Sequence, residues 1–253
     1  MQKKNTQPWL VRNFNDTPRH RLYCFSYAGG SAAQFLSWQD GMDHDVEICA
    51  IQLPGRSTRI MEEPYTSFSP LIEALGEVIA EEGMQAFSFF GHSLGALVAF
   101  ELAHHCERLH LSAPERLIVS GCNAPQRLNP PRYLHMLPDD ELIAELKHFN
   151  GTPDEVLEHR ELMNLVLPAI RADFSMVAQY RYLDQGKLNV PIVAFGGRND
   201  PHCSREQTEA WRLETSADFS MQWFEGDHFF INDEKDAVLV SLKNALRDTA
   251  ERV

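Results

Sequence analysis

No window of the 253-residue chain approaches the eighteen or so apolar residues that a membrane-spanning helix needs. The polar N-terminal stretch MQKKNTQPWLVR also has no apolar run of signal-peptide length. Together these absences lead us to expect a soluble protein of the cytoplasm. Cysteine is scarce: Cys24, Cys49, Cys106, Cys122 and Cys203 are odd in number, widely spaced and mostly set in apolar runs. Such a set forms neither a disulfide framework nor a CxxC metal knuckle, so reduced core thiols are expected. Positive charge is in deficit, with 23 Lys and Arg against 36 Asp and Glu, for a formal net charge of -13. No Lys/Arg cluster supplies the basic face that nucleic acid requires. Repeats and low-complexity linkers are missing too, which favours one domain over residues 1–253.

What is present is an apolar content of 43%, ample for a large core, arranged as alternating strand-like runs and helical periods. Leu22 to Tyr27 and Val46 to Leu53 read as buried strands, followed by a helix opened by Ser69 and Pro70 and closed by Gly83. A strand at Ala86, a helix after Ser93 and a strand at Arg116 to Ser120 continue the rhythm of a parallel sheet covered by helices, an α/β fold. From about Cys122 to Gly186 the pattern is helical only. Asp139 to Phe149 has helical spacing, and Thr152-Pro153-Asp154-Glu155 carries a capped start with proline at its first turn. Glu161 to Tyr182 contains Pro168, which is expected to kink or split that helix. This segment reads as a helical lid inserted over the sheet. Alternation resumes with Val190 to Phe195, a helix around Glu206 to Arg212, a strand Phe219 to Phe224 and a last helix Asp236 to Arg247.

Within that frame FGHSLGA, residues 90 to 96, sets Ser93 between Gly91 and Gly95 at a strand-to-helix turn. A Gly-x-Ser-x-Gly match is weak alone. In this context it marks a nucleophile elbow, where only small residues fit two positions either side of the serine. A serine hydroxyl needs a base, and the base an orienting carboxylate, following in the order Ser, Asp or Glu, His. VPIVAFGG runs into Asp200, and FSMQWFEG delivers His228, so these two fit order and spacing. Asp227 and Asp233 are competing carboxylates. Of the other histidines, His92 should point away from the serine, and His104 and His105 lie on the following helix. An acyl-transfer oxyanion needs two N–H donors. Leu94, after the serine, supplies one, and we assign the other to Ala28 in the loop CFSYAGGSA, for which a plain flexible turn is the alternative.

CFSYAGGSA, IQLPGRSTR, FGHSLGALVAFELA, LPAIRADFSMVAQYRY, GGRNDPH and EGDHFFI, in this order and spanning nearly the whole chain, resemble the type II thioesterases of nonribosomal peptide and polyketide synthesis. The resemblance implies an α/β-hydrolase fold and hydrolysis of acyl thioesters from the phosphopantetheine arm of acyl or peptidyl carrier proteins, clearing stalled or misprimed synthases. It carries the nucleophile onto Ser93, the acid onto Asp200, the base onto His228 and the oxyanion donors onto Ala28 and Leu94. Ser26 departs from the proline that the family commonly has there. No cofactor or metal is implied, and a monomer is expected.

Met136, Leu137, Leu162, Leu165 and Met176 are candidates for the wall of an acyl channel, with ordinary core packing as the alternative. In LPGR, Leu53 to Arg56, a Pro-Gly turn with a solvated arginine is expected, and assistance to substrate or carrier approach is the other reading. Because carriers are generally acidic, docking to this acidic chain calls for a local apolar or arginine-bearing patch near the entrance. Rival functions are a medium-chain fatty acyl thioesterase, a serine esterase on free small esters, and a non-catalytic binding protein on a hydrolase scaffold.

Overall fold

Seven strands form one sheet in the computed structural model, which describes residues 8–13, 18–83, 85–149, 151–152 and 154–250. They are β1 (Leu10–Val11), β2 (His20–Phe25), β3 (Val46–Ile51), β4 (Ala86–His92), β5 (Leu117–Ser120), β6 (Ile192–Gly197) and β7 (Phe219–Phe224). Their order across the sheet is β1-β3-β2-β4-β5-β6-β7, and every pairing is parallel except β1 with β3. The two-residue β1 is too short to show a period, and the sequence gives no sign of it. The helices are α1 (Ala33–Leu36), α2 (Phe68–Glu82), α3 (Leu94–Arg108), α4 (Asp139–Phe149), α5 (Asp154–Leu157), α6 (Arg160–Gln179), α7 (Arg205–Glu209), α8 (Phe230–Asp233) and α9 (Lys235–Ala250).

Burial on both faces explains why the inner strands read as near-continuous apolar runs, interrupted in β3 by the buried Glu47. All six residues of β3 and of β6 are buried, whereas the edge strand β7 alternates. On one face α2 and α3 pack Leu71, Leu75, Val78, Phe100 and Leu102 against Tyr23, Phe89 and Val119. On the other, α1 and α9 pack Phe35, Leu239 and Leu242 against Leu22, Phe90 and Phe195. Each fully buried Leu or Phe contributes about 1.5–3 kcal/mol, so the two layers hold the strand ends in fixed register.

The helix expected to open at Ser69 and Pro70 begins instead at Phe68, after an extended Ser67. Pro70 then falls in the first turn, where its missing N–H has no helical partner to lose. The helix expected around Glu206 to Arg212 is α7 followed by a 3-10 turn at Ala210–Leu213. Pro168 does not split α6, which runs through it for 20 residues. The lost backbone bond is offset by packing on both sides of the proline, since Met163, Leu167 and Ile170 join a separate apolar cluster with Leu134, Leu142 and Leu146. Between β5 and β6 the described elements are helical, α4 to α6 with two 3-10 turns. Pro153, expected at the start of α5, lies outside the described residues. No helix among the described residues is long and apolar enough to cross a membrane.

Candidate active site

Three loops at the carboxyl ends of β4, β6 and β7 converge, the usual place for a site in an open parallel sheet. Ser93 sits between β4 and α3 with φ 55° and ψ −117°, a left-handed backbone that costs a non-glycine residue about 1–3 kcal/mol. The flanking glycines permit it by close approach. A Cβ on Gly91 would lie 2.1 Å from the Gly95 carbonyl oxygen, and one on Gly95 would lie 2.1 Å from the Phe25 carbonyl oxygen. Only hydrogen fits at either position.

Ser93 Oγ lies 3.0 Å from His228 Nε2, and His228 Nδ1 lies 2.8 Å from Asp200 Oδ2. The other Asp200 oxygen accepts the His202 N–H at 2.8 Å. Burial pushes the Asp200 carboxyl up, but the hydrogen bond and charge of His228, with the His202 N–H, outweigh it and hold the group below its ordinary value. An ionised Asp200 favours the His228 tautomer with its proton on Nδ1, which leaves Nε2 to accept from Ser93. Asp227 instead accepts the Phe229 N–H at 2.8 Å, within the turn that presents His228. Asp233 ends α8.

The structure brings together the three residues singled out from the sequence. His92 stays out of the relay: its Nδ1 is 2.9 Å from Ser120 Oγ, and its ring packs behind that of His228 at 5.2 Å between centroids. Burial, and then the charge of His228, lower its basicity well below the ordinary value, so it is neutral. His105 bonds Arg108 along α3. All five cysteines are free and buried. Burial pushes the Cys122 thiol up to about 12, which leaves it inert as a nucleophile.

A cavity of about 210 Å³ opens over Ser93 and takes in both Ala28 and Leu94. Leu94 is the first residue of α3, so its N–H has no partner within the helix and carries the positive end of the helix dipole. A larger cavity of about 460 Å³ between α2, α3 and the end of α6 contains none of Ser93, Asp200 and His228, whereas the smaller one is lined by Ser93 and His228. The wall of that smaller cavity corrects the sequence reading. Met136, Leu162 and Leu165 are 73%, 42% and 58% exposed, Leu137 packs within the lid cluster, and Met176 lines the larger cavity. Leu128, Leu134, Phe149, Phe174 and Val177 line it instead, with His202 beside His228. Helical spacing shows which residues share a face but not which cavity that face meets.

Arg56 also departs from expectation. It is 5% exposed and forms a bidentate pair with the fully buried Asp173 of α6, at 2.6 and 2.8 Å. Sequence reasoning missed it, although a carboxylate in the apolar run LPAIRADFSMVA was itself a signal, since a buried charge requires a partner.

Residues 20–246 match a family model described as "Thioesterase domain". Gramicidin S biosynthesis protein GrsT of Aneurinibacillus migulanus is 40% identical over 240 residues, covering 94% of each chain. Thioesterase PikA5 of Streptomyces venezuelae is 39% identical, over 88% of this chain and 80% of its own. Among solved structures, the type II thioesterase BorB from the borrelidin biosynthetic cluster superposes with a TM-score of 0.86 at 34% identity, covering 93% of this chain and 96% of that one. By sequence and by its α/β-hydrolase fold, the chain belongs to the thioesterase family.

Proposed function

We propose that this enzyme is a type II thioesterase that hydrolyses acyl groups from the phosphopantetheine arm of carrier proteins, clearing stalled or misprimed nonribosomal peptide or polyketide synthases. The observation that carries the chemistry is the continuous relay from Ser93 Oγ through His228 to Asp200, at 3.0 and 2.8 Å, beneath a largely apolar cavity. Relatives named for gramicidin S biosynthesis and as a thioesterase support the pathway class.

In the first half-reaction His228 Nε2 takes the Ser93 proton as Oγ attacks the thioester carbon. The developing oxyanion is held by the N–H groups of Ala28 and Leu94. The C–S bond then breaks, and the departing thiolate takes the proton from His228. A thiol of pKa about 8.5 is a good leaving group and needs little acid assistance. In the second half, water gives a proton to His228, its oxygen attacks the acyl carbon, and Ser93 Oγ regains the proton with release of the acid. The chemistry calls for no cofactor beyond the substrate's own phosphopantetheine, and five free buried thiols suit a reducing cytoplasm.

The helical segment 122–186 acts as the lid, and its α6 supplies Phe174 and Val177 to the acyl wall. Arg132, ion-paired with Glu145, and Arg181 line the same cavity and set guanidinium groups where an acidic carrier and its phosphate would dock. The test compares hydrolysis of acetyl and longer acyl groups from a phosphopantetheinylated carrier with that of a p-nitrophenyl ester. Higher kcat/KM on the carrier supports the proposal, and a strong preference for the free ester overturns the editing role.

A further inference from the structure

The Arg56–Asp173 pair lies outside the relay, yet it reaches the loop that carries Ala28. Asp173 Oδ2 accepts the Gly29 N–H at 2.7 Å as well as Arg56 Nη1 at 2.6 Å, and Oδ1 accepts Arg56 Nη2 at 2.8 Å. Arg56 Nη1 also donates to the Gly30 carbonyl at 3.2 Å, and its Nε to the Pro54 carbonyl at 3.4 Å. One buried carboxylate and one guanidinium therefore grip two successive residues of the loop after β2. Gly29 has φ 79°, and a Cβ there would stand 2.9 Å from Ile170 Cγ1, so α6 is pressed directly onto the loop.

We propose that Arg56 and Asp173 are positioning residues for the oxyanion loop, and that through them α6 sets the acyl-cavity wall and the Ala28 donor in one rigid unit. The Gly29 N–H belongs to the planar peptide that follows the Ala28 Cα, and the Gly30 N–H donates at 2.9 Å to the Tyr27 carbonyl of the peptide that carries the Ala28 N–H, so gripping Gly29 and Gly30 holds both peptides that flank Ala28. Phe174, next to Asp173, lines the cavity over Ser93, so the residue that holds the loop is chained to the wall. Stability alone does not call for this pair. A buried ion pair is often replaced by apolar residues of similar volume without loss, whereas a carboxylate receiving three donors fixes a backbone in a way that apolar packing does not.

The inference rests on the oxyanion role of Ala28 proposed above and not on the identity of the natural substrate. It is therefore tested on p-nitrophenyl acetate, whose cleavage develops the same oxyanion. Phenylboronic acid is the second probe, because its serine adduct presents an oxygen to the same donors. Arg56→Lys keeps the charge but loses the fork. Its kcat is expected to fall about 10- to 100-fold with KM within about twofold, and boronate affinity is expected to weaken in step. Arg56→Met/Asp173→Leu removes both charges, and its melting temperature should return close to wild type while kcat stays low. A folded variant of either kind with kcat within twofold of wild type overturns the inference, as does a fall in kcat with boronate affinity unchanged. Wild-type boronate affinity in Ser93→Ala would instead overturn the catalytic reading of Ser93, and failure on carrier substrates alone would overturn only the editing role.

Discussion

Replacing Gly95 by alanine puts a carbon atom 2.1 Å from the Phe25 carbonyl oxygen, 2.6 Å from its carbon and 2.8 Å from the Ser26 carbonyl oxygen. All three neighbours are backbone, so no side chain can rotate away. Relief requires the start of α3 to retreat from the end of β2 by about 1 Å, the distance needed to restore an ordinary non-bonded contact. That retreat separates the two halves of the site, because Ser93 and Leu94 lie at the start of α3 while Ala28 follows β2. A misplacement of about 1 Å costs on the order of 100-fold in rate, and overpacking of this kind about 1–3 kcal/mol in stability. For a chain of this length the latter lowers Tm by roughly 2–12 °C. Gly83→Ala serves as control: its φ of 89° is strained for alanine, but nothing lies within 4 Å of the new carbon. It should lose stability and keep its activity. Esterase kinetics and thermal melts on both variants decide the matter, and a Gly95→Ala enzyme with kcat within twofold of wild type would refute the steric account of the elbow.

Three further perturbations follow from the same geometry. Asp200→Asn offers an amide N–H to His228 Nδ1 and favours the wrong tautomer, so kcat should drop about 10³- to 10⁴-fold with little change in KM in steady-state assays. His20 is held down to about 4, mainly by burial, so the unfolded chain binds its proton more readily between pH 6.5 and 4. Stability from this group is complete above pH 6.5 and is lost as pH falls toward 4. His20→Gln should therefore remove about 2 kcal/mol of the difference in urea stability between pH 7.5 and 5, and an unchanged difference contradicts it. Arg132→Glu with Arg181→Glu should lower kcat/KM on a carrier substrate about tenfold and leave p-nitrophenyl acetate turnover within twofold; equal effects on both would remove these arginines from docking.

The relay was legible because its three members follow strands, and strand ends are marked by apolar runs that stop at turn residues. FSFFGHSLG, VAFGGRND and QWFEGDHF each carry that mark. The cavity wall was not, because α6 carries two apolar pairs at i,i+3 spacing on different sides, Leu162 with Leu165 and Leu167 with Ile170, and only the placement of α6 over the sheet decides which pair is buried. Arg56 was misread for a related reason. A Pro-Gly turn is ordinarily solvated, and its burial here depends on a carboxylate more than a hundred residues further along the chain. Pro168 misled in the opposite direction, since local chemistry predicted a break that tertiary packing overrode.

The proposed function requires that Ser93 accept the acyl group from a carrier-borne thioester. Rapid-quench mass spectrometry on the enzyme mixed with an acyl-phosphopantetheinyl carrier tests it directly. A transient mass increase equal to the acyl group is expected on the peptide containing Ser93, formed no later than the free acid and absent in Ser93→Ala. Release of the acid with no such adduct, undiminished in Ser93→Ala, would contradict it.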